Sequence, residues 1–382
     1  MQNAVVYFRS WFARSEELSR RRVDPWLAAP AGVLIVLGLM MVLDATYFLG
    51  RAQSGDPFRY FMAQLVHVVI GLAVCAALSQ FSLRGLRRIA LPLGALALIM
   101  LLLIWVPGLG VARGGARRWL RAGPLLLEPS ELVKLGLVFV LAALLARRDT
   151  AIEHFERGPL PAFLLTAPLA LLTLMQPDFG ATVMIVILML GMLFAAGTRA
   201  LHLALPGGAA LLLLALEAIA QPYRLRRFVG FLNPWQTARG AGFQLVQSFI
   251  ALGMGGAWGQ GLGLGRQKMF YLPQAHTDFI FAVITEDFGI AGALLVIAFF
   301  LIILVRGMRI ARGETDPFAS LLAVGLTLLL SLQAVINIAV VIGLTPTKGL
   351  PLPFLSYGGT STITALTALG ALLALSRRVA PQ

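Results

Sequence analysis

Apolar runs of about 20 residues recur along this chain from residue 27 to residue 377, and a run of that length crosses the hydrocarbon core of a bilayer as a helix. That repetition constrains the fold more than anything else in the sequence, because lipid offers the backbone no hydrogen-bond partners. Only helices and closed barrels satisfy every N–H and C=O internally. The runs are continuous rather than alternating apolar and polar as barrel strands do, so the fold class predicted is all-α and polytopic. Hydropathy places spans over 27–49, 60–80, 87–106, 131–146, 160–175, 180–197, 201–219, 279–305, 318–343 and 361–377. The expected organisation is a cytoplasmic segment over 1–26, a single ten-helix transmembrane domain over 27–377 with a large outer loop at 220–278, and a cytoplasmic tail over 378–382. With 59% hydrophobic and 13% charged residues and a mean hydropathy of +0.85, a soluble globular domain is excluded.

Charge sets the orientation. With the N-terminus inside, the inner segments gather Arg20, Arg21 and Arg22, then Arg84, Arg87 and Arg88, then Arg147 and Arg148, then Arg306, Arg309 and Arg312. The short outer connections hold only Lys348. Both termini are therefore expected in the cytoplasm. The start of the chain has no short apolar core with a small-residue cleavage site, so no cleaved signal peptide is predicted. The single Cys75 cannot form an intrachain disulfide and reads as a small core residue.

Two long outer loops escape the charge rule. Loop 107–128 carries Arg113, Arg117, Arg118 and Arg121, and loop 220–278 carries Arg224, Arg226, Arg227, Arg239, Arg266 and Lys268. They meet either anionic membrane lipids or a phosphorylated ligand. Within the second loop, Phe243, Val246, Phe249 and Ile250 share one helical face, which predicts a short amphipathic helix at the outer interface. The run "GMGGAWGQGLGLGRQK" follows no strand and precedes no helix opening on GK[ST], so it is no nucleotide loop, and nothing points to nucleic acid.

Four stretches could carry chemistry. Arg117, Arg118 and Arg121 surround Trp119, as guanidinium groups suited to a diphosphate or as a lipid-surface anchor. Glu131 and Lys134 stand three apart on one helical face and can pair, structurally or functionally. Asp178 in "MQPDFGAT" reads first as a helix cap. The stretch "GLTPTKGLPLPFLSYGGTST", residues 343–362, cannot continue a helix and suits a cavity wall, with Lys348, Ser356 and Tyr357 facing a ligand. Asp278, in "HTDF", stands where loop becomes span. It is either a helix cap or a carboxylate of raised basicity, the property a general base needs. His276 either orients it or only faces the interface. No His/Asp/Glu cluster has metal-ligand spacing, and no Ser or Cys nucleophile is evident.

The motifs "GGARRWL", "EPSELVKL", "QPDFGAT", "FLNPW", "GLGLGRQKMFYLPQAHTDFIFAVI" and "INIAVVIGLTPTKGLPLPFLSYGGTS", in this order, resemble the FtsW/RodA/SpoVE family of shape, elongation, division and sporulation (SEDS) proteins. The likeness covers nearly the whole chain and is strongest to the division branch. It implies ten transmembrane helices in the bacterial plasma membrane and a peptidoglycan glycosyltransferase acting on lipid II at the outer face, at the division septum. It implies a class B penicillin-binding protein as transpeptidase partner, with divisome activator proteins. It implies that Asp278 is the essential acid, and that Trp119, the Glu131 and Lys134 pair and the "SYGG" element from Ser356 belong to the family's site. Gln274 stands where the family usually has Glu, and Thr285-Glu286-Asp287 where it often has "GEE". Neither departure touches Asp278.

The chemistry expected is inverting transfer. Asp278 takes the proton of a 4-hydroxyl, which displaces undecaprenyl diphosphate from the anomeric carbon. Loop arginines, Lys268, Lys348, a divalent cation such as magnesium or manganese, or both kinds of charge stabilise the leaving group. The rival readings are a lipid II flippase, a non-catalytic scaffold for the transpeptidase, and an elongation role in place of division.

Overall fold

In a computed structural model the structure describes residues 23–113, 116–123, 125–147, 154–156 and 158–379. Most of the N-terminal segment, with Arg9, Arg14, Arg20, Arg21 and Arg22, lies outside the described residues, as do Arg148 and Arg157 and residues 380–382 of the tail. The helices in chain order are α1 (Pro25–Ser54), α2 (Arg59–Ser79), α3 (Leu83–Leu103), α4 (Pro129–Leu145), α5 (Pro159–Met175), α6 (Phe179–Ala195), α7 (Ala200–Ala220), α8 (Pro222–Leu232), α9 (Phe243–Gly255), α10 (Ile280–Gly313), α11 (Pro317–Val341) and α12 (Gly359–Ser376).

Seven of these, α1, α2, α3, α7, α10, α11 and α12, are long and apolar enough to cross a membrane. The other three that fall on expected spans, α4, α5 and α6, have 17 residues each, about 25 Å at 1.5 Å per residue. Small residues let the helices approach closely. A Cβ on Gly370 of α12 would stand 2.6 Å from the carbonyl oxygen of Cys75 in α2, which explains the glycine at 370; Cys75 itself is buried. One apolar core runs through the bundle, with fully buried side chains from α1, α4, α6, α10, α11 and α12.

Three arginines at the expected inner ends are paired. Arg306 Nη2 lies 2.7 Å from Asp24 Oδ2, and Asp24 also caps α1 through Trp26 N. Arg378 binds Glu314 at 2.8 Å and Arg87 binds Asp316 at 2.9 Å. These pairs tie together the ends of α1, α3, α10, α11 and α12.

The expected loop 107–128 forms a three-stranded antiparallel sheet, β1 (Gly110–Arg113), β2 (Ala116–Ala122) and β3 (Leu125–Leu127), with Val111 opposite Trp119 and Leu120 opposite Leu127. The expected amphipathic helix exists as α9, but its buried face differs. Leu245, Val246, Ser248, Ala251 and Gly255 are buried, while Phe243, Phe249 and Ile250 are only partly so. The reason is close packing on α10: a Cβ at Gly255 would meet the Thr285 carbonyl oxygen at 2.0 Å, so small residues face inward. Ser248 Oγ also donates to Val341 O of α11 at 2.8 Å. The second, strongly amphipathic helix, α8, went unforeseen.

Candidate functional site

A cavity of ≈ 2170 Å³ opens where the sheet, α8, the segment before α10 and the segment 342–358 converge. One limb is aliphatic, lined by Val183, Val186, Ile187 and Leu190 of α6 and by Gly207, Leu211 and Ala215 of α7. Asp278, His276, Tyr357 and Tyr60 line the cavity as well.

Asp278 is partly exposed there. It does not cap α10: Phe279 is the cap residue, and no side chain bonds the first turn. Its backbone is held instead. Asn337 Nδ2, on α11, donates to Asp278 O at 2.8 Å and to Leu350 O at 2.7 Å. Ser356 Oγ donates to Thr277 O at 2.5 Å and accepts from Leu352 N at 2.8 Å. The carboxylate faces Gly349, where a Cβ would stand 3.3 Å from Asp278 Oδ2. Burial lifts its carboxyl from 3.8 to about 6, against the pull of Arg227 and Arg118 and with a further push from Asp178. It is thus a proton acceptor of useful basicity at neutral pH.

The cations converge from three elements. Of the arginines in β2 only Arg118 lines the cavity. Arg118 Nη2 donates to Pro177 O, and its Nη1 lies 4.0 Å from Asp178 Oδ1. Arg117 turns to Val106 O at 3.1 Å, and Arg121 is exposed outside the cavity. Trp119 lines the cavity. Arg224 pairs with Glu217 at 2.7 Å and Arg227 donates to Thr347 O at 3.3 Å. The Arg224 guanidinium and the Lys348 ammonium each lie 5.5 Å from the Phe179 ring centre, the Lys348 ammonium held below its ordinary pKa by burial. Asp178 caps α6 through Ala181 N at 3.1 Å, as expected from its turn.

Lys268 also lines the cavity, but its ammonium is claimed. It pairs with Asp44 of α1 and, at 3.0 Å, with Asp287 of α10. Asp287 Oδ1 further accepts Gly265 N at 3.2 Å, and Glu286 Oε1 accepts Arg266 N at 2.8 Å. The carboxylates within α10 therefore anchor the glycine-rich segment that leads to Asp278. Glu131 and Lys134 lie off the cavity. Lys134 Nζ binds Glu131 Oε1 at 2.6 Å and Gln333 Oε1 at 2.9 Å, and Gln333 Nε2 donates to Pro351 O at 2.9 Å. The pair thus braces the segment opposite Asp278.

Five participants were missed in the sequence. Asp44, Gln333 and Asn337 are polar groups inside apolar spans, the signal that singled out Glu286 and Asp287. Glu128 precedes the Pro129 that starts α4 and lines the cavity. Burial, with Asp178 and Glu131 nearby, lifts its carboxyl to about 8, so at neutral pH Glu128 is largely a neutral hydrogen-bond donor while Asp278 is ionised. Tyr60 opens α2 beside His276, and no motif announced it. Three residues near the cavity, Phe270, Gln274 and Phe354, hold left-handed backbone at φ 68, 59 and 66°, a strain of roughly 1–3 kcal/mol each of the kind that gathers at functional sites.

The family model for the FtsW/RodA/SpoVE cell cycle proteins matches residues 26–380. A probable peptidoglycan glycosyltransferase FtsW of Geobacter sulfurreducens is 40% identical over 358 residues, covering 94% of this chain and 96% of that protein. Stage V sporulation protein E of Bacillus subtilis is 38% identical, covering 90% and 94%. A solved chain from a peptidoglycan synthase complex, in work on the coordination of polymerization and crosslinking, is 32% identical with a TM-score of 0.75 over 93% of this chain and 98% of that one. The rod shape determining protein RodA of Thermus thermophilus is 28% identical with a TM-score of 0.68 over 94% and 98%.

Proposed function

The chain belongs to the FtsW/RodA/SpoVE family, and from that premise we propose that it is a peptidoglycan glycosyltransferase that polymerises lipid II. One observation carries the reading. Asp278, a carboxylate of raised basicity that is ionised at neutral pH, lines a large cavity together with cationic and aliphatic side chains. Those surfaces suit the three parts of a lipid-linked sugar diphosphate.

Asp278 accepts the proton as the acceptor's 4-hydroxyl oxygen bonds to the donor's anomeric carbon. The carbon–oxygen bond to the diphosphate breaks, and undecaprenyl diphosphate leaves with inversion. One positioned base suffices, because the leaving group departs as a stabilised anion and needs no proton. Arg118, Arg224, Arg227 and Lys348 line the place where that charge develops, and the limb between α6 and α7 receives a lipid tail. Among the described residues no three His, Cys, Asp or Glu form a metal-holding group. A divalent cation there would be held chiefly by the diphosphate, as magnesium is at phosphate sites, and would add charge stabilisation. Lys268 contributes by fixing the segment before Asp278 rather than by touching substrate.

The relatives named FtsW, at 39–40% identity, favour septal synthesis in division over elongation. The synthase complex favours a class B penicillin-binding protein as partner. The reading places ten spans in the plasma membrane with both termini cytoplasmic and the cavity outside.

The test is glycan synthesis from purified lipid II by the solubilised chain with a transpeptidase partner lacking its own glycosyltransferase domain. Wild type is expected to make long strands, and folded Asp278→Ala and Asp278→Asn none. Lipid II movement across vesicles without polymer would establish a flippase instead. Polymer from the Asp278 variants would remove Asp278 from the centre of the chemistry.

A further inference from the structure

Three rings from three separate parts of the chain meet on the cavity wall beside Asp278. Tyr60 of α2 lies 5.5 Å from Tyr357 at 77° and 5.8 Å from His276 at 53°, and His276 lies 5.7 Å from Tyr357 at 58°. Two hydrogen bonds fix the group. Tyr357 N donates to His276 O at 2.8 Å, and Tyr60 OH donates to Gln53 Oε1 of α1 at 2.6 Å. Core aromatic clusters are buried on all sides. These three are each partly exposed and line the cavity, and Gln53 beside them is exposed. Burial lowers the His276 pKa to about 4, so its ring is neutral at physiological pH.

We infer that the Tyr60–His276–Tyr357 ring cluster is a saccharide platform that seats a hexosamine ring against Asp278. The chemistry follows from what this wall offers beside the others. A diphosphate needs cations, and those lie on Arg118, Arg224, Arg227 and Lys348. A lipid tail needs an aliphatic surface, which α6 and α7 supply. A pyranose presents an apolar C–H face with polar edges, and it matches aromatic faces rimmed by an amide. His276 stands two residues before the base in the chain and its two ring partners line the same cavity, where the sugar that carries the attacked or attacking atom must rest. This inference rests on the glycosyltransferase reading, and its test is independent of turnover.

Binding of lipid II, of lipid II stripped of its peptide, and of undecaprenyl diphosphate, which lacks both sugar and peptide, is measured in nanodiscs in the inactive Asp278→Asn background, and the loss described next is expected for both sugar-bearing lipids. Tyr60→Leu is expected to weaken lipid II about tenfold, the factor 1.4 kcal/mol carries, and to leave undecaprenyl diphosphate unchanged. Tyr60→Phe, which keeps the ring, is expected to bind lipid II like its parent. Unaltered lipid II binding in Tyr60→Leu overturns the platform, and so does equal weakening of both ligands. In the active background, a raised KM with normal strand length places the incoming unit on the rings. Shortened strands at unchanged KM place the growing strand there. If no variant or wild type polymerises, the enzyme reading falls while the binding comparison still decides the platform.

Discussion

The burial that makes Asp278 basic also makes it costly to the fold, and Asp278→Asn separates the two effects. Its carboxyl rises from 3.8 to about 6 in the folded chain, a shift worth about 3 kcal/mol at 1.36 kcal/mol per unit. Solvent in the open cavity reduces this to about 1–2 kcal/mol. The sign is fixed by which state ionises first. Below pH 3.8 both states hold the proton and no penalty exists. As pH rises toward 6 the unfolded chain ionises more readily than the folded one, so folded stability falls, and above 6 the penalty is complete. Asp278→Asn removes it. The variant should unfold a few degrees above wild type at pH 7.5, with a smaller gap at pH 4.5, in fluorimetric melts at one scan rate. It should also make no polymer, while wild-type synthesis declines as pH drops through about 6. A variant less stable than wild type at pH 7.5, or a gap that ignores pH, would refute the account of a desolvated base.

Three further outcomes follow from contacts around the site. Glu131→Gln or Lys134→Met alone should destabilise by about 3–5 kcal/mol, because each strands a buried charge, and the double variant should recover most of that loss in the same melts. Lys268→Met should cost a similar amount by leaving Asp44 and Asp287 without their cation, and should speed proteolysis within residues 256–271. Gly349→Ala places a methyl 3.3 Å from Asp278 Oδ2, so polymer synthesis should fall roughly ten- to hundredfold while the melting temperature barely moves. A melt shift without a rate loss would show that the carboxylate need not lie against Gly349.

Much of the site could be located in the sequence, but less of its division of labour. Asp278, Arg118, Trp119, His276, Lys348 and Tyr357 were singled out and line one cavity. Arg117, Arg121, Ser356, Glu131 and Lys134 were singled out and lie off it. The difference arises from local geometry that residue type does not encode. In β2, Arg118 reaches the cavity while Arg117 spends its guanidinium on Val106 O at 3.1 Å. Ser356 spends its hydroxyl on the backbone of Thr277 and Leu352, so it shapes the segment instead of meeting a ligand. Tyr60 and Gln53 matter only because two helix ends meet the segments that hold His276 and Tyr357.

The sequence by itself determined the solvent, the helical class and the places where a charge inside lipid had to have a purpose. Those properties follow from run length, composition and the high cost of an unpaired polar group in hydrocarbon, all of which are local. Tertiary structure alone decided which purpose each charge serves. Glu286 and Asp287 anchor the glycine-rich segment, and Lys134 braces the segment at Pro351 through Gln333. Asp278 has no side-chain hydrogen bond on its carboxylate among the described residues and stays open to the cavity. An ion pair and a general base use the same carboxyl group. What separates them is whether a partner reaches the carboxylate, as Lys268 of the segment before α10 reaches Asp44 of α1 and Asp287 of α10, and tertiary packing sets that.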